Sequence, residues 1–261
     1  MIEMFRELIK YRELLWAFTV RNIKIRYKQT VMGFLWAIFM PVMIVLSGIV
    51  VKAAMSMMSG KPLELSQIVS VSVKALPWAF FVGTLKFSTT SLVGNSNLVT
   101  KIYFPREIFP MSFVISQLFD FAIASAALAV VLAFAKVGVS IYILWLPVLI
   151  ILLVSLTTAL SLLFACGTLF FRDVKYIVDI ILTFGIFFTP VFYEASMFGK
   201  WKNLILLNPV GSILEGINSV VVLHQAPDMF WLGYAAFWSI GGFLVAMAIF
   251  HNAEPSFAEN I

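Results

Sequence analysis

Asn95 to Pro110 reads NSNLVTKIYFPREIFP, a polar segment cut by proline at Pro105 and Pro110 and set between two long apolar runs. Asn95 and Ser96 are N-cap candidates, so a short helix is expected between them and Pro105. Pro105 suits the first position of a following helix, because its missing N–H would have no partner there, and Glu107 then falls near the positive end of that helix dipole. The segment predicts a short surface helix lying across the bilayer plane between two membrane spans. An ordinary interhelical loop fits the same punctuation.

Composition turns the flanking apolar runs into spans. With 62% hydrophobic and 12% charged residues and a mean hydropathy of +1.01, the chain lies well beyond soluble domains, whose apolar share is about 45–50%. No polar stretch is long enough to hold a separate core, so residues 1–261 read as a single membrane domain. The lone Cys166 sits inside an apolar run, which excludes a disulfide within the chain and a thiolate metal site. The net charge of +5 is not a nucleic-acid signal, because the basic residues cluster beside spans. Arg6, Lys10, Arg12, Arg21, Lys24, Arg26 and Lys28, and then Lys101 and Arg106, mark residues 1–30 and 94–110 as cytoplasmic, as both termini are in the resulting topology.

Residues 3 to 28 alternate apolar and basic positions at helical spacing, with Phe5, Leu8, Ile9, Leu15 and Phe18 opposite Arg6, Lys10, Arg12 and Glu13, so an interfacial amphipathic helix is expected. Arg21, Lys24 and Lys28, with Arg26 beside them, form a cationic stripe that suits lipid phosphate, although a nonspecific anchor on anionic headgroups needs no more than this. Spans are expected at Val31–Val51, Ile68–Val93, Met111–Ala135, Ile141–Phe171, Tyr176–Phe192 and Met229–Phe250, giving six transmembrane helices. The first is too long for a signal-peptide core of about 7–15 residues. Between residues 193 and 228, two short apolar helices interrupted by Asn208-Pro209, Glu215 and Asn218 read as an external re-entrant pair. Were that pair to cross, there would be seven spans.

Lys74 and Lys86 of the second expected span, Asp120 of the third and Asp179 of the fifth are charged residues inside apolar runs. Counted from the expected cytoplasmic ends, Lys86 and Asp120 lie at depths of about 10 and 14 Å, so a buried ion pair is expected, with snorkelling of Lys86 as the simpler possibility. Aromatic residues recur at three and four on the fifth span, Phe184, Phe187, Phe188 and Phe192, leading to Tyr193. Phe34 and Phe39 stand on the first. Such faces suit lipid and suit stacking on ring-shaped ligands equally.

No G-x-x-x-x-G-K-[ST] occurs, so any ATP-driven motor must be another subunit. His224 and His251 are the only histidines and lie far apart in sequence. Neither H-E-x-x-H nor G-x-S-x-G is present, which disfavours a membrane-bound glycosyl- or acyltransferase.

Several short motifs occur in a set order: Arg21-x-x-Lys24-x-Arg26-Tyr27-Lys28, Gly33-x-x-Trp36-x-x-x-x-Pro41, Lys101, Phe104-Pro105-Arg106-Glu107, Pro110, Leu118-x-Asp120-Phe121, Phe171-Arg172-Asp173, Thr189-Pro190-Val191-x-Tyr193 and Asn208-Pro209. Together they resemble the permease subunits of ABC-2 type polysaccharide exporters, the family of O-antigen, capsule and teichoic-acid export. The resemblance implies an all-α integral membrane fold whose short helix in 94–110 is a coupling helix. Ser96, Leu98, Lys101, Ile102, Tyr103, Phe104, Pro105, Arg106 and Glu107 would then meet a separate ATPase. It further implies a homodimer in the bacterial inner membrane, two copies of a cytoplasmic ABC ATPase holding ATP and Mg, a lipid-linked polysaccharide as cargo, and a pathway lined by the first and fifth spans. No cofactor is expected in this chain. Export of teichoic acid, small lipids or drugs by the same family is the alternative.

Overall fold

The computed structural model describes residues 7, 9–28, 33, 35–60, 62, 64–101 and 104–259. Helix α1 spans Arg12–Tyr27. Gly33 and Gly60, both in the left-handed region at φ +52° and +68°, bracket α2, Leu35–Ser59. A residue with a Cβ is strained there, so both ends of the helix are set locally. This helix covers most of the expected Val31–Val51 and continues past its end to Ser59, so that Lys52 is a buried helical residue.

Helix α3 (Leu65–Thr89) is the centre of the molecule, buried on most sides from Val69 to Thr89. Three of its hydroxyls are satisfied within the helix. Thr84 donates to the Phe80 carbonyl at 2.7 Å, and Ser88 and Thr89 donate to that of Leu85 at 3.3 and 2.6 Å. The 3-10 turn Val93–Asn95 and the short α4 (Ser96–Lys101) connect it to α5, Ile108–Phe134. A 3-10 turn, Ile141–Trp145, leads into α6 (Leu146–Phe170), with Pro147 in the first turn where a missing N–H costs nothing.

Helix α7 covers Val174–Phe188, α8 Lys202–Leu206 and α9 Pro209–Val221. Asn208 caps α9 by accepting from the Val210 N–H at 3.1 Å, and Pro209 occupies the first helical position. Asp228 caps α10, Met229–Ala236, in the same way through Phe230 N–H at 3.1 Å. A π-helical segment, Phe237–Gly241, joins α10 to α11, Gly242–Ala253. The Ser239 carbonyl there accepts a hydrogen bond from Ser155 of α6 at 3.1 Å.

Among the described residues, five helical stretches are long and apolar enough to cross a membrane: Leu35–Met58, Leu65–Thr89, Ile108–Phe134, Ile141–Phe170 and Met229–Phe257. The 15 residues of α7 rise about 22 Å and the 13 of α9 about 20 Å, both short of a bilayer core of about 30 Å. Beside a small cluster of Ala195, Leu206 and Trp231, two large core clusters divide the molecule. One, around Val73, Trp78, Phe81, Leu149, Leu153, Ile213 and Leu214, joins α3, α6 and α9. The other, around Phe18, Leu92, Val99, Phe104, Phe109, Leu162, Leu169, Phe250 and Phe257, lies on the face carrying residues 95–107 and brings the C-terminal segment there. His224, at the end of the α9 segment, lies beside Gly138 in the loop after α5, away from that face.

Helix α1, expected as an interfacial helix, packs along α5. Asn22 donates to Ser112 Oγ at 2.9 Å and Arg26 to Ser116 Oγ at 3.4 Å, both pairs separated by 90 in sequence. An equal offset one turn apart means that α1 runs parallel to α5 and beside its first turns. The 27 residues of α5 rise about 40 Å, so some 10 Å can stand outside the hydrocarbon and be flanked by α1. Ile9, Trp16 and Ile25 are exposed while Thr19 and Asn22 are buried. Tyr11, Leu14, Leu15 and Phe18 pack one apolar face of this helix on the second core cluster, and the hydrogen bonds of Asn22 and Arg26 fix its C-terminal half.

Candidate functional site

Asp120 is the focus of a polar cluster between α1 and α5. It accepts from the Arg26 guanidinium in a direct ion pair and from the Tyr27 hydroxyl at 2.6 Å. Arg26 also donates to Gln117 Oε1 at 2.9 Å and lies 4.7 Å over the Phe87 ring. Burial, then the Asp120 hydrogen bond, raises the pKa of the Tyr27 phenol. The expected Lys86–Asp120 pair is not what forms; Lys86 is exposed. Stacking of Phe80 on Phe121 and of Phe87 on Phe113 sets the antiparallel register of α3 and α5. Asp120 is therefore level with about residue 80, and Lys86 with about residue 114. From the actual helix ends at Thr89 and Ile108, Lys86 is only about 4.5 Å deep and Asp120 about 18 Å.

The same register settles the cationic stripe. Arg26 is committed to Asp120, and Arg21 donates to Asn95 Oδ1 at 3.0 Å while lying 4.4 Å over the Phe18 ring. Only Lys24 and Lys28 of the four are exposed. Of the four residues expected to hold lipid phosphate, the two guanidinium groups are taken by tertiary partners. Asn95, expected as a helix cap, instead donates to the Ser91 carbonyl at 2.7 Å and receives Arg21.

In the segment 95–107, the side chains expected to meet a partner divide in two. Ser96 and Leu98 are half-buried, with Leu98 packed against the second core cluster, and Asn97 and Thr100 are exposed. Ile102, Tyr103 and the side chain of Lys101 lie outside the described residues. Phe104, Pro105 and Glu107 are buried, and Phe104 stacks on Phe18 and Phe109 at 6.3 and 5.4 Å. These three cannot touch a partner in this conformation; they seat α4 on the body. Arg106 completes the seat by donating through its backbone N–H and Nη1 to Glu254 Oε1 at 3.1 and 3.3 Å and through Nη2 to the Val99 carbonyl at 3.4 Å. Pro105 lies three residues before α5 rather than at its first position. Burial and the nearby Glu254 carboxylate push the Glu107 carboxyl up to about 7.

Away from this face, a second buried pair ties residues 193–215 to α3. Lys74, completely buried, donates to the Tyr193 carbonyl at 2.6 Å and pairs with Glu215 of α9 at 3.4 Å, whose Oε1 also accepts from the Ala195 N–H at 3.2 Å. The sequence signal was there, since Lys74 and Glu215 are both ionisable groups in apolar helices, but nothing local joined them. A cavity of about 280 Å³ opens between α3, α5, α6 and α9, lined by Val73, Phe121, Leu128, Leu146 and Ile217, with few polar atoms. Such a lining suits hydrocarbon rather than sugar hydroxyls.

The expected aromatic stripe separates at the end of α7. Phe184, Phe187 and Phe188 are exposed, together with Tyr176, Ile177, Ile180 and Ile181, so α7 carries a continuous uncovered apolar face. Phe192 turns inward against Gly48 of α2, where a Cβ would lie 2.8 Å from its ring and 2.4 Å from Val71. Tyr193 donates through its hydroxyl to the Phe187 carbonyl at 2.9 Å and packs edge-on against Phe198. Phe39 is exposed and edge-on to Trp36 at 5.3 Å; Phe34 lies outside the described residues.

Residues 13–222 match the family described as ABC-2 type transporter. The chain belongs to the ABC-2 type transporter family. It is 29% identical over 265 residues to an O-antigen export system permease protein RfbA from Myxococcus xanthus, with 100% of both chains covered. It is 27% identical over 257 residues to a protein of the same name from Klebsiella pneumoniae, with 95% of this chain and 94% of the relative covered. As an ABC-2 membrane chain with five apolar spans, it is a multi-pass transport component rather than a catalytic enzyme. The hinge segment 95–107 and the buried pairs at Asp120 and Lys74 all fall inside the ABC-2 region, whereas Glu254 and His251 lie beyond it.

Proposed function

We propose that this chain is the membrane-spanning permease subunit of an exporter that carries a lipid-linked, O-antigen-like polysaccharide across the bacterial inner membrane. It works as a homodimer with two copies of a separate cytoplasmic ABC ATPase, which hold ATP and Mg. The observation that carries this reading is the end-to-end match to permeases named for O-antigen export. The chain crosses six times, with α7 as the short fifth span and residues 193–228 re-entrant from outside, and both termini are cytoplasmic.

Helix α4 is the coupling helix in this reading. Its anchoring supports that role: Arg21 holds Asn95 from α1, Phe104 packs on Phe109 of α5, and Arg106 grips Glu254 after α11. A displacement of α4 is therefore passed to three elements at once. The uncovered apolar face of α7 and the neighbouring exposed aromatic residues of α2 support a pathway or a dimer contact there, since aromatic bodies stack on pyranose rings without fixing one register.

Deletion of the gene tests the reading directly. An exporter mutant accumulates finished, lipid-linked polymer inside the cell, and a wild-type copy restores its surface display. A mutant that never makes the polymer would assign the chain to its synthesis instead. Co-purification of an ABC ATPase with the tagged permease, lost in Leu98→Glu, tests the role of α4.

A further inference from the structure

Glu107 carries the buried carboxylate that lacks a hydrogen-bond donor among the described residues. It is 1% exposed, and neither carboxylate oxygen has a hydrogen-bond partner. A buried carboxylate without donors is costly enough that it requires a proton or a cation. The adjacent guanidinium does not meet that need, because Arg106 Nη1 and the Arg106 N–H are both directed at Glu254 Oε1.

That arrangement leaves Glu254 Oε2 available, and it faces His251 Nδ1 at 3.8 Å. One donor atom each from Glu107, His251 and Glu254 lie within 4.8 Å of one another. Donors placed tetrahedrally at about 2.1 Å from a metal are separated by about 3.4 Å, so small side-chain rotations close the set. We propose that Glu107, His251 and Glu254 bind a divalent transition-metal ion of the Zn2+ class. One imidazole nitrogen and two carboxylate oxygens form the donor set of a three-ligand zinc site, whereas Mg2+ and Ca2+ favour oxygen alone. Two carboxylates offset the charge of the ion, Arg106 leaving the cluster with one net positive charge. Arg106 holds the second oxygen of Glu254, the outer contact that orients a ligating carboxylate. His251 is exposed, which gives the ion an entry path and leaves a fourth position to water.

The ion would join two distant parts of the chain. Glu107 immediately precedes α5 and follows the segment that carries α4, whereas His251 ends α11 and Glu254 starts the 3-10 turn Glu254–Glu259. Binding there clamps the C-terminal segment to the base of α4 and reinforces the Arg106–Glu254 contact. This inference rests on side-chain geometry alone and stands whether or not the cargo is a polysaccharide.

The test uses the purified full chain in detergent, stripped with chelator and titrated with ZnCl2, CoCl2 or MgCl2. The expected result is one equivalent of Zn2+ bound, a higher Tm, visible d–d absorption with Co2+, and no response to Mg2+. Glu107→Gln and His251→Ala should each weaken Zn2+ binding by at least about tenfold, and His224→Ala should leave it unchanged. Should Glu107→Gln fold poorly, the exposed His251 still permits the test. Absence of stoichiometric Zn2+ binding by the wild-type chain, or wild-type affinity in His251→Ala, overturns the site. Neither result bears on the deletion phenotype, so the two readings fail separately.

Discussion

Arg26→Gln and Asp120→Asn, made singly and together, probe whether α1 is held to α5 by the buried pair. Both side chains are less than a fifth exposed, at 19% and 12%, so the pair is poorly screened and removal of one partner leaves the other without its counter-charge. Breaking a buried pair from one side costs about 3–5 kcal/mol. Here the remaining contacts soften that figure: Asp120 keeps Tyr27, and Arg26 keeps Gln117 and Ser116. Each single variant should therefore lose about 2–3 kcal/mol, and the double variant should lose no more than either single, giving a coupling of about 2 kcal/mol. Unfolding of the detergent-solubilised chain by increasing SDS fraction measures these values. Lys86→Gln serves as the internal comparison; as an exposed group it should change stability by less than about 0.5 kcal/mol and show no coupling to Asp120→Asn. Additive losses at Arg26 and Asp120, or coupling between Lys86 and Asp120, would refute both the pairing and the register deduced from the ring stacks.

Three further outcomes follow from the same geometry. Glu215→Gln should destabilise the chain by about 2 kcal/mol or more by leaving the buried Lys74 ammonium without its counter-charge; equal stability in SDS titration would remove the tie between α3 and residues 193–215. With chelator present, stability should fall as pH rises, because the Glu107 carboxyl ordinarily titrates near 4.5 and is raised to about 7 when folded. The folded chain then binds the proton more tightly than the unfolded one, and the advantage present below the unfolded pKa is lost by pH 7, about 3 kcal/mol in all. Glu254, Arg106, His251 and Glu7 surround the group, and Glu107→Gln should flatten this slope, as thermal unfolding between pH 5 and 8 would show. Phe187→Ala combined with Phe188→Ala should lower surface display of polymer severalfold while membrane insertion persists; undiminished display would assign this α7 face to lipid.

What the sequence determined by itself is local. Long apolar runs announce the spans because every backbone group in a bilayer core must be paired within its own helix. Asn208-Pro209 marks the start of α9 through a cap and a ring whose effects act within one turn. The hinge at 95–107 was legible because proline and polar residues punctuate it. Only the tertiary structure decided the partners. A rise of about 1.5 Å per residue converts a position into a depth, but the conversion is only as good as the helix ends, and small shifts at Thr89 and Ile108 moved Lys86 and Asp120 to different levels. Depth also says nothing about azimuth, so Arg26 on a helix expected to be interfacial could not be matched to Asp120, nor Lys74 to Glu215. Phe104 and Glu107 went inward for the same reason: α1, α6 and the C-terminal segment converge on them from positions far away in the chain, and a buried side chain finds its neighbours only when those elements pack.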